Sequence, residues 1–125
     1  MVVSKKKELS LPALLKKAEK VFNAWIRKRD ADKGCISCSS YTFETAGHYL
    51  SVGHHGQLRF NEMNVNGQCT RCNLHLHSNA IFYRQGLVKR YGENKVLMLE
   101  SQAHKVKKWS KTELLAIIET YKLTK

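Results

Sequence analysis

The chain has 125 residues, of which 22 are Lys or Arg and 10 are Asp or Glu, so its net charge near pH 7 is +12. Hydrophobic residues make up 42% and charged residues 26%, a balance typical of one globular domain rather than of a disordered chain. No apolar stretch is long enough to span a membrane and residues 1–8 lack the apolar core of a signal peptide, so we expect a cytoplasmic protein. The charge surplus indicates a polyanionic partner, the alternative being a merely soluble cationic surface.

The first predicted elements are a basic arm and a long amphipathic helix. Residues 1–9 are rich in lysine and precede any apolar periodicity, so we expect them to form a mobile arm. Ser10 offers an N-cap and Pro12 suits a first turn, which predicts a helix over residues 10–33. Its apolar positions recur at spacings of three and four, which indicates a face buried in the core or partly in a dimer. They are Leu11, Leu14, Leu15, Ala18, Val21, Phe22, Trp25 and Ile26.

Residues 35–92 are predicted to form the functional core. Their first half is rich in Gly, Ser, Asn and His and contains short β-like segments and a hairpin turn. After Cys72 a helical pattern resumes, and it ends at Gly92. The β-like segments lie at residues 41–43, 48–52 and 58–60, with the turn at residues 53–56.

A C-terminal helical part, residues 93–125, completes the predicted domain. It contains a short helix over residues 94–101 and a last helix that begins with the capping box of Ser110 and Glu113. No internal repeat or low-complexity tract divides the chain. We therefore predict a single α+β domain over residues 1–125, in which helices flank a small β-hairpin and metal unit.

The four cysteines form two Cys-x-x-Cys pairs. Each pair can bind a zinc ion from a tight turn, and two pairs complete a tetrahedral site of four sulfurs. The 30 residues between the pairs leave room for an inserted hairpin. A disulfide or a redox pair is the alternative, which a reducing compartment and the absence of a thioredoxin-like pattern disfavour. The predicted structural zinc ligands are Cys35, Cys38, Cys69 and Cys72.

A histidine and two asparagines lie between and just after these cysteine pairs. His48 opens a β-like stretch, Asn64 lies five residues before the second pair, and Asn73 follows Cys72 directly. His77 lies four residues further on and is predicted to share a helix face with Asn73. Phosphodiester hydrolysis needs a base with a pKa near neutrality, which histidine supplies, and a cation on the phosphate. The alternative is structural, with His48 buried near the zinc and Asn73 as a helix N-cap.

These residues together resemble the ββα-metal nucleases, also called HNH or His-Me finger nucleases, in the form stapled by two Cys-x-x-Cys knuckles, as in phage endonuclease VII. The chain is similar in more detail to the NinG (Rap) recombination proteins of lambda-like phages, over roughly residues 14–92. The matching blocks occur in the same order. They are Trp25-Ile-Arg27, Arg29-Asp30, Ala46-Gly-His48-Tyr, Leu58-Arg-Phe-Asn-Glu62, Asn64-Val-Asn66, Gln68-Cys69, Arg71-Cys-Asn73, Ser78-Asn79 and Tyr91-Gly92.

The resemblance implies a treble-clef-like ββα-metal core flanked by N- and C-terminal helices, and a role for each matched residue. His48 matches the general base that deprotonates the attacking water, and Asn64 matches the residue that braces its loop. Asn73 matches the ligand of a catalytic Mg²⁺ or Mn²⁺ ion. His77 departs from the family pattern, and either helps to hold that metal or faces a phosphate. Gly47 stands where many HNH enzymes carry a second metal ligand, which implies one protein ligand plus waters and suits Mg²⁺.

Basic residues around the motif are candidate DNA contacts. Arg59 either grips a phosphate or forms a surface salt bridge with Glu62. The lysines that precede Trp109 mix charge with an aromatic ring, as nucleic-acid surfaces do, unless that ring packs inward. The predicted DNA contacts are Arg59, Arg71, Lys107 and Lys108.

These features predict a metal-dependent DNA endonuclease, acting by resemblance on branched recombination DNA such as Holliday junctions or D-loops, in a phage or prophage setting. Symmetric junction cleavage needs two active sites, so we expect a homodimer, with the first helix as the candidate interface. One alternative is an HNH enzyme that acts on linear duplex. The other is a zinc-knuckle DNA-binding recombination accessory protein without catalysis, which Gly47 favours.

Overall fold

The structure is a computed structural model that describes residues 8–51 and 56–123. Most of the predicted basic arm and of the predicted hairpin turn at residues 53–56 lies outside these ranges. Helices surround one small sheet, which confirms the α+β class. In chain order the helices and strands are α1 (Leu11–Arg29), β1 (Thr45–His48), β2 (Val65–Gln68), α2 (Ala80–Tyr91), α3 (Glu93–Glu100) and α4 (Lys111–Tyr121).

The helix ends follow local capping signals. At the start of α1 the Ser10 hydroxyl accepts a hydrogen bond from the Ala13 backbone, and α1 ends at Arg29, four residues before the predicted boundary. The capping box of Ser110 and Glu113 opens α4, as predicted. Gly92 ends α2 with a φ of +92°, a conformation that favours glycine. α3 begins one residue earlier than expected.

The sheet differs from the prediction. β1 and β2 pair antiparallel, with Thr45 opposite Gln68 and His48 opposite Val65. The strands predicted at residues 41–43 and 58–60 are wrong. The strand predicted at residues 48–52 is misplaced, because β1 ends at His48, the residue at which the prediction began.

Local hydrogen bonding explains the missing strand at residues 58–60. A 3₁₀ turn spans Gly56–Leu58, and the Asn61 side chain accepts hydrogen bonds from the Met63 and Asn64 backbones. Such a turn, closed by an asparagine side chain, competes with extended structure.

The segment after Cys72 is broken where one continuous helical pattern was expected. A π-helical turn covers Arg71–His75, a 3₁₀ turn covers His77–Asn79, and α2 begins only at Ala80. The three residues His77–Asn79 all have positive φ, between 46° and 71°. The prediction that Asn73 and His77 share a helix face is therefore wrong, because the π-helical turn ends at His75 and His77 itself has a left-handed backbone.

Two hydrophobic clusters lie on either side of the sheet. The first joins α1 to α4, where Phe22 packs edge-on against Phe60 and Tyr121. The apolar face of α1 is thus covered within the chain, which argues against α1 as a dimer interface. Trp109 packs on Phe60, so this ring points inward. The second cluster comprises Ile36, Leu58, Tyr83, Leu87, Val96 and Leu99.

A buried ion pair joins the end of α1 to β2. Asp30 is fully buried, and both of its oxygens accept hydrogen bonds from the Arg29 guanidinium, at 2.7 and 2.8 Å. Its Oδ2 also accepts from the Gly67 backbone at 2.8 Å. Burial raises the pKa of the Asp30 carboxyl, but the Arg29 and Gly67 hydrogen bonds outweigh it and hold that pKa below its usual value.

Among the described residues, every helix is too short or too polar to cross a bilayer.

Candidate metal centre and histidine site

The four cysteine sulfurs converge at one point. All four Sγ atoms lie within 4.8 Å of one another, and those of Cys38 and Cys69 are 3.7 Å apart. In a tetrahedral zinc site with Zn–S bonds of about 2.3 Å, neighbouring sulfurs are about 3.8 Å apart. The cluster could therefore hold a metal ion such as zinc, as the two Cys-x-x-Cys pairs predict.

The first knuckle, residues 34–40, is shaped by backbone hydrogen bonds. The Cys35 N–H donates to the Ser40 carbonyl at 3.0 Å, and Gly34 takes a φ of +76° with no room for a Cβ atom against Ser40. Burial raises the pKa of the Cys35 thiol, but backbone N–H groups of neighbouring residues outweigh it and lower that pKa overall. These donors favour the thiolate that metal binding requires.

His48 is the last residue of β1, and its ring is largely removed from solvent. Its Nε2 lies 3.3 Å from the Arg59 carbonyl oxygen, which can only accept a hydrogen bond. The proton of a neutral imidazole is therefore assigned to Nε2, which leaves Nδ1 with a lone pair. Burial lowers the pKa of His48 below its usual value, and the Arg59 contact offsets part of that shift. The lowered pKa thus favours the neutral form of the ring.

Asn64 ties down the chain that follows His48. It is fully buried; its Oδ1 accepts from the Leu50 N–H at 2.8 Å, and its Nδ2 donates to the Leu50 and Leu58 carbonyls. Its own backbone carbonyl accepts from the Tyr49 N–H. These contacts fasten the chain segments that end at residue 51 and begin at residue 56.

Gly47 has no space for a side chain. A Cβ atom there would lie 1.8 Å from Oε1 of Gln68, and Gln68 is itself fully buried. The Gly47 carbonyl accepts a hydrogen bond from the Tyr83 hydroxyl at 2.7 Å. A metal-ligating Asp or His before His48 would therefore collide with Gln68, so the departure at Gly47 is built into the packing.

Asn73 lies inside the π-helical turn, so its predicted alternative as a helix N-cap is wrong. Its Nδ2 donates to the Thr45 hydroxyl at 3.1 Å, which leaves the carbonyl oxygen as the atom suited to a metal. Thr45 and His48 are the two ends of β1 and point to opposite faces of the strand. The structure thus brings Asn73 to the same strand as His48, but places it at the other end.

The remaining predicted residues are more dispersed. Arg59 forms its ion pair with Glu19 of α1, so the expected salt bridge with Glu62 is wrong. Glu62 instead accepts a hydrogen bond from the Tyr121 hydroxyl. Lys107 pairs with Glu113 at 2.6 Å and lies over the Trp109 ring. The side chains of Arg71, His77 and Lys108 are exposed.

The segment with Lys107 runs next to the histidine site. The Trp109 ring N–H donates to the Gly56 carbonyl at 2.8 Å, and Gly56 lies three residues before Arg59, which contacts His48. The Arg59 N–H in turn donates to Gly56. The lysines that flank Trp109 in the chain therefore lie near residues 56–59, of which Arg59 contacts the His48 ring.

Two residues contribute to the site in ways that the sequence analysis did not predict, Gln68 and Tyr83. Gln68 Nε2 donates to the Ser37 hydroxyl and to the Ser78 carbonyl, at 2.9 and 2.6 Å, and Ser37 donates to the same carbonyl. This clamp joins both knuckles to the left-handed turn. The Tyr83 hydroxyl, which holds Gly47, appears in the sequence only as an apolar helix position. In the sequence, Gln68 is marked by its position directly before Cys69 and by the Gln68-Cys69 block that resembles the NinG proteins.

The profile of one protein family, described as "Bacteriophage Lambda NinG protein", matches residues 3–125. Protein ninG of Escherichia phage lambda and Protein ninG of Salmonella phage P22 are each 41% identical to the chain over 109 residues. Protein ninG of Escherichia phage 933W is 40% identical over the same number. No solved structure matches the chain.

These alignments cover 86% of this chain and 53% or 54% of each relative, so the chain spans about half the length of the curated relatives it matches. The family profile, by contrast, matches nearly the whole chain. A match of that extent together with about 40% identity establishes common descent: the chain belongs to the NinG family.

Proposed function

We propose that the protein is a metal-dependent DNA endonuclease in which His48 is the general base. The observation that carries this proposal is the orientation of the His48 ring, with Nε2 on the Arg59 carbonyl and Nδ1 left unprotonated. A neutral, positioned imidazole is the group that a hydrolytic reaction near neutral pH needs. The buried Asn64 amide supports this role, because it binds Leu50, just after the base, and Leu58, next to the Arg59 carbonyl that contacts the ring.

In the proposed reaction, His48 Nδ1 takes a proton from a water molecule as that water attacks the scissile phosphorus. Asn73 would hold a divalent ion through its carbonyl oxygen, and the rest of the shell would be water and phosphate, as Mg²⁺ prefers. Such an ion, Mg²⁺ or Mn²⁺, would stabilise charge on the phosphate and on the leaving oxygen. The thiol cluster would hold zinc in a purely structural role, since four sulfurs leave no open coordination position.

The proposed substrate is branched recombination DNA, such as a Holliday junction or a D-loop, in the bacterial host of a phage or prophage. Support comes from the net charge of +12 and from membership of the NinG family. A homodimer would supply two active sites to a symmetric junction, but its interface would have to lie away from the apolar face of α1, which α4 covers.

The test is cleavage of a synthetic four-way junction by the zinc-loaded chain, with and without Mg²⁺. We expect His48→Ala to lower the single-turnover rate by about 10²- to 10⁴-fold, the usual contribution of a general base. His75→Ala changes an exposed histidine for which we propose no role and should leave the rate within about twofold. Undiminished metal-dependent cleavage by His48→Ala would rule out the proposed base.

A second candidate is a DNA-binding recombination accessory protein without catalysis. It is favoured by two observations: Asn73 is bound to Thr45 at the far end of β1, and Gly47 has no room for a second ligand. Junction binding without cleavage in any divalent metal would support this candidate. Equal cleavage of linear duplex and junction would instead indicate a nuclease without branch specificity.

A further inference from the structure

A groove lies between the first knuckle and the C-terminal half of α2. Two adjoining cavities of about 420 Å³ each form it, and they share Ile36, Ser39, Gly86 and Lys89. Gly86 is what allows the helix to lie this close to the knuckle, because a Cβ atom there would be 2.1 Å from the Ile36 carbonyl oxygen. A glycine inside a helix costs about 1 kcal/mol of stability relative to alanine. We attribute Gly86 to the close packing of α2 against the knuckle.

The charged side chains that line the groove are all basic. They are Lys33, Lys89 and Arg90, and no Asp or Glu lines either cavity. Arg90 is anchored by the Gly34 carbonyl at 3.4 Å and by Asn66 Oδ1 at 3.4 Å. The lysines are exposed. The groove therefore combines one fixed guanidinium with two mobile ammonium groups, an arrangement that suits phosphate oxygens.

Two negative groups near the groove are already compensated. Asp30 approaches Lys33 at 3.9 Å and Arg90 at 3.7 Å, but both of its oxygens are bound by Arg29. A bound zinc would leave the four thiolates with a net charge of about −2. Cys38 lines the second cavity and is exposed, so part of this charge faces the groove, whereas Cys35 is only 2% exposed. The three basic side chains outweigh a charge of about −2, so the groove keeps a positive balance that depends on its lysines.

The groove lies across the sheet from His48. The Ile36 N–H donates to the Gly67 carbonyl at 2.9 Å, so the knuckle adjoins β2, whereas His48 is on β1. With neighbouring strands about 4.8 Å apart, the knuckle backbone lies about 10 Å beyond β1, and the groove further out. A DNA strand bound at His48 would therefore not fill the groove. The groove stays open to phosphates on another side of the protein.

We propose that this knuckle groove binds the phosphate backbone of a second DNA arm, and so makes the protein prefer branched DNA over linear duplex. The inference rests on the proposed function. In this proposal Lys33 and Lys89 determine the preference for branched DNA, and they do so at a surface separate from the histidine site. A linear duplex engages the histidine site alone, whereas a four-way junction also offers an arm to the groove.

The test compares Lys33→Gln/Lys89→Gln with a control of equal charge, Lys17→Gln/Lys95→Gln, whose lysines are exposed on α1 and α3. Binding of the zinc-loaded chains to a four-way junction and to linear duplex is measured without Mg²⁺ over a range of salt. Two lost phosphate contacts should make the log–log salt slope for the junction shallower by about 1.8. We expect junction affinity to fall about tenfold and duplex affinity to change less than twofold.

An equal loss on both substrates, or a junction affinity within twofold of the parent chain, would overturn the proposal. If the double variant folds poorly, Lys89→Glu takes its place, because Lys89 is exposed and its reversal should reduce junction affinity at least as strongly. Failure of the parent chain to bind any DNA would instead reject the proposed function itself. Binding by the parent with an unaltered variant would reject only the groove.

Discussion

At the scale of single residues, His48 shows how burial and one hydrogen bond determine chemistry. The Arg59 carbonyl accepts only from a protonated Nε2, so the tautomer follows from the geometry. The residue before His48 is constrained by packing as well. Any side chain at Gly47 would collide with the buried amide of Gln68. Gln68 Oε1 is, within the described ranges, the one buried side-chain oxygen or nitrogen without a hydrogen-bond partner. The close Gly47 backbone fills that space.

A pH prediction belongs to this scale. Because burial lowers the pKa of His48 below 6.5, the ring stays neutral on acidification until the pH falls through that lower value. The proposed cleavage rate should therefore be half-maximal at a pH below 6.5 and decrease as the pH falls further. Single-turnover rates between pH 4.5 and 8, with junction binding as the control, would measure this. A half-maximal rate above pH 6.5 would contradict the predicted environment of the ring.

At the scale of elements, the join between α1 and β2 depends on one carboxylate. Asp30 ends α1 and accepts the Gly67 N–H of β2, while Arg29 also donates to the Val65 carbonyl and to Asn66 Oδ1. The same short strand thus binds the end of α1 and the first knuckle along one edge, since the Gly67 N–H binds Asp30 and the Gly67 carbonyl binds Ile36. A strand of four residues with buried polar side chains is stable here because these partners supply hydrogen bonds to its buried polar groups.

Asp30→Asn should weaken that join. The change leaves Arg29 without its buried counter-charge, and breaking such a pair costs about 3 kcal/mol. Urea unfolding of the zinc-loaded variant at pH 7 should show this loss of unfolding free energy. Asp32→Asn, an exposed carboxylate two residues away, is the matched control and should change stability by less than about 0.5 kcal/mol. Equal stabilities of the two variants would show that the pair does not hold the elements together.

Several elements were predictable because their signals are local. The caps of α1 and α4, the glycine end of α2 and the paired cysteines each depend on residues a few positions apart. β2 was missed because its sequence, Val-Asn-Gly-Gln, lacks alternation, and its polar side chains are buried against distant partners. The break after Cys72 was missed for the same reason, since the Ser78 carbonyl is held by Gln68 and Ser37.

At the scale of the whole molecule, the thiol cluster joins two segments that are 31 residues apart at their nearest cysteines. Over residues 8–51 and 56–123 the sheet has only two short strands, and the hydrophobic residues divide into two modest clusters. A domain of this size has a typical unfolding free energy of about 5–15 kcal/mol. Zinc bound at four thiolates contributes about 10–16 kcal/mol to folding in small zinc domains. The metal would therefore account for a large part of the stability.

Removal of the metal should consequently unfold the core. A strong chelator is expected to abolish the cooperative thermal transition seen by circular dichroism, and one equivalent of zinc should restore it. Metal analysis should give about one zinc per chain. The same chelator added with excess zinc is the control for direct effects on the protein. An apo chain that keeps its full thermal stability would refute the structural role of the thiol cluster.

The amino-acid sequence by itself determined most of the helices, the caps of α1 and α4, the four thiols, the basic charge and the family. These features depend on the spacing of nearby residues and on composition, and both can be read directly from the sequence. The tertiary structure decided that Asn73 binds Thr45, that Arg59 pairs with Glu19, and that Gln68 excludes a side chain at Gly47. Each of these contacts joins residues 21 to 40 positions apart, so its partner is chosen by packing and not by any local pattern.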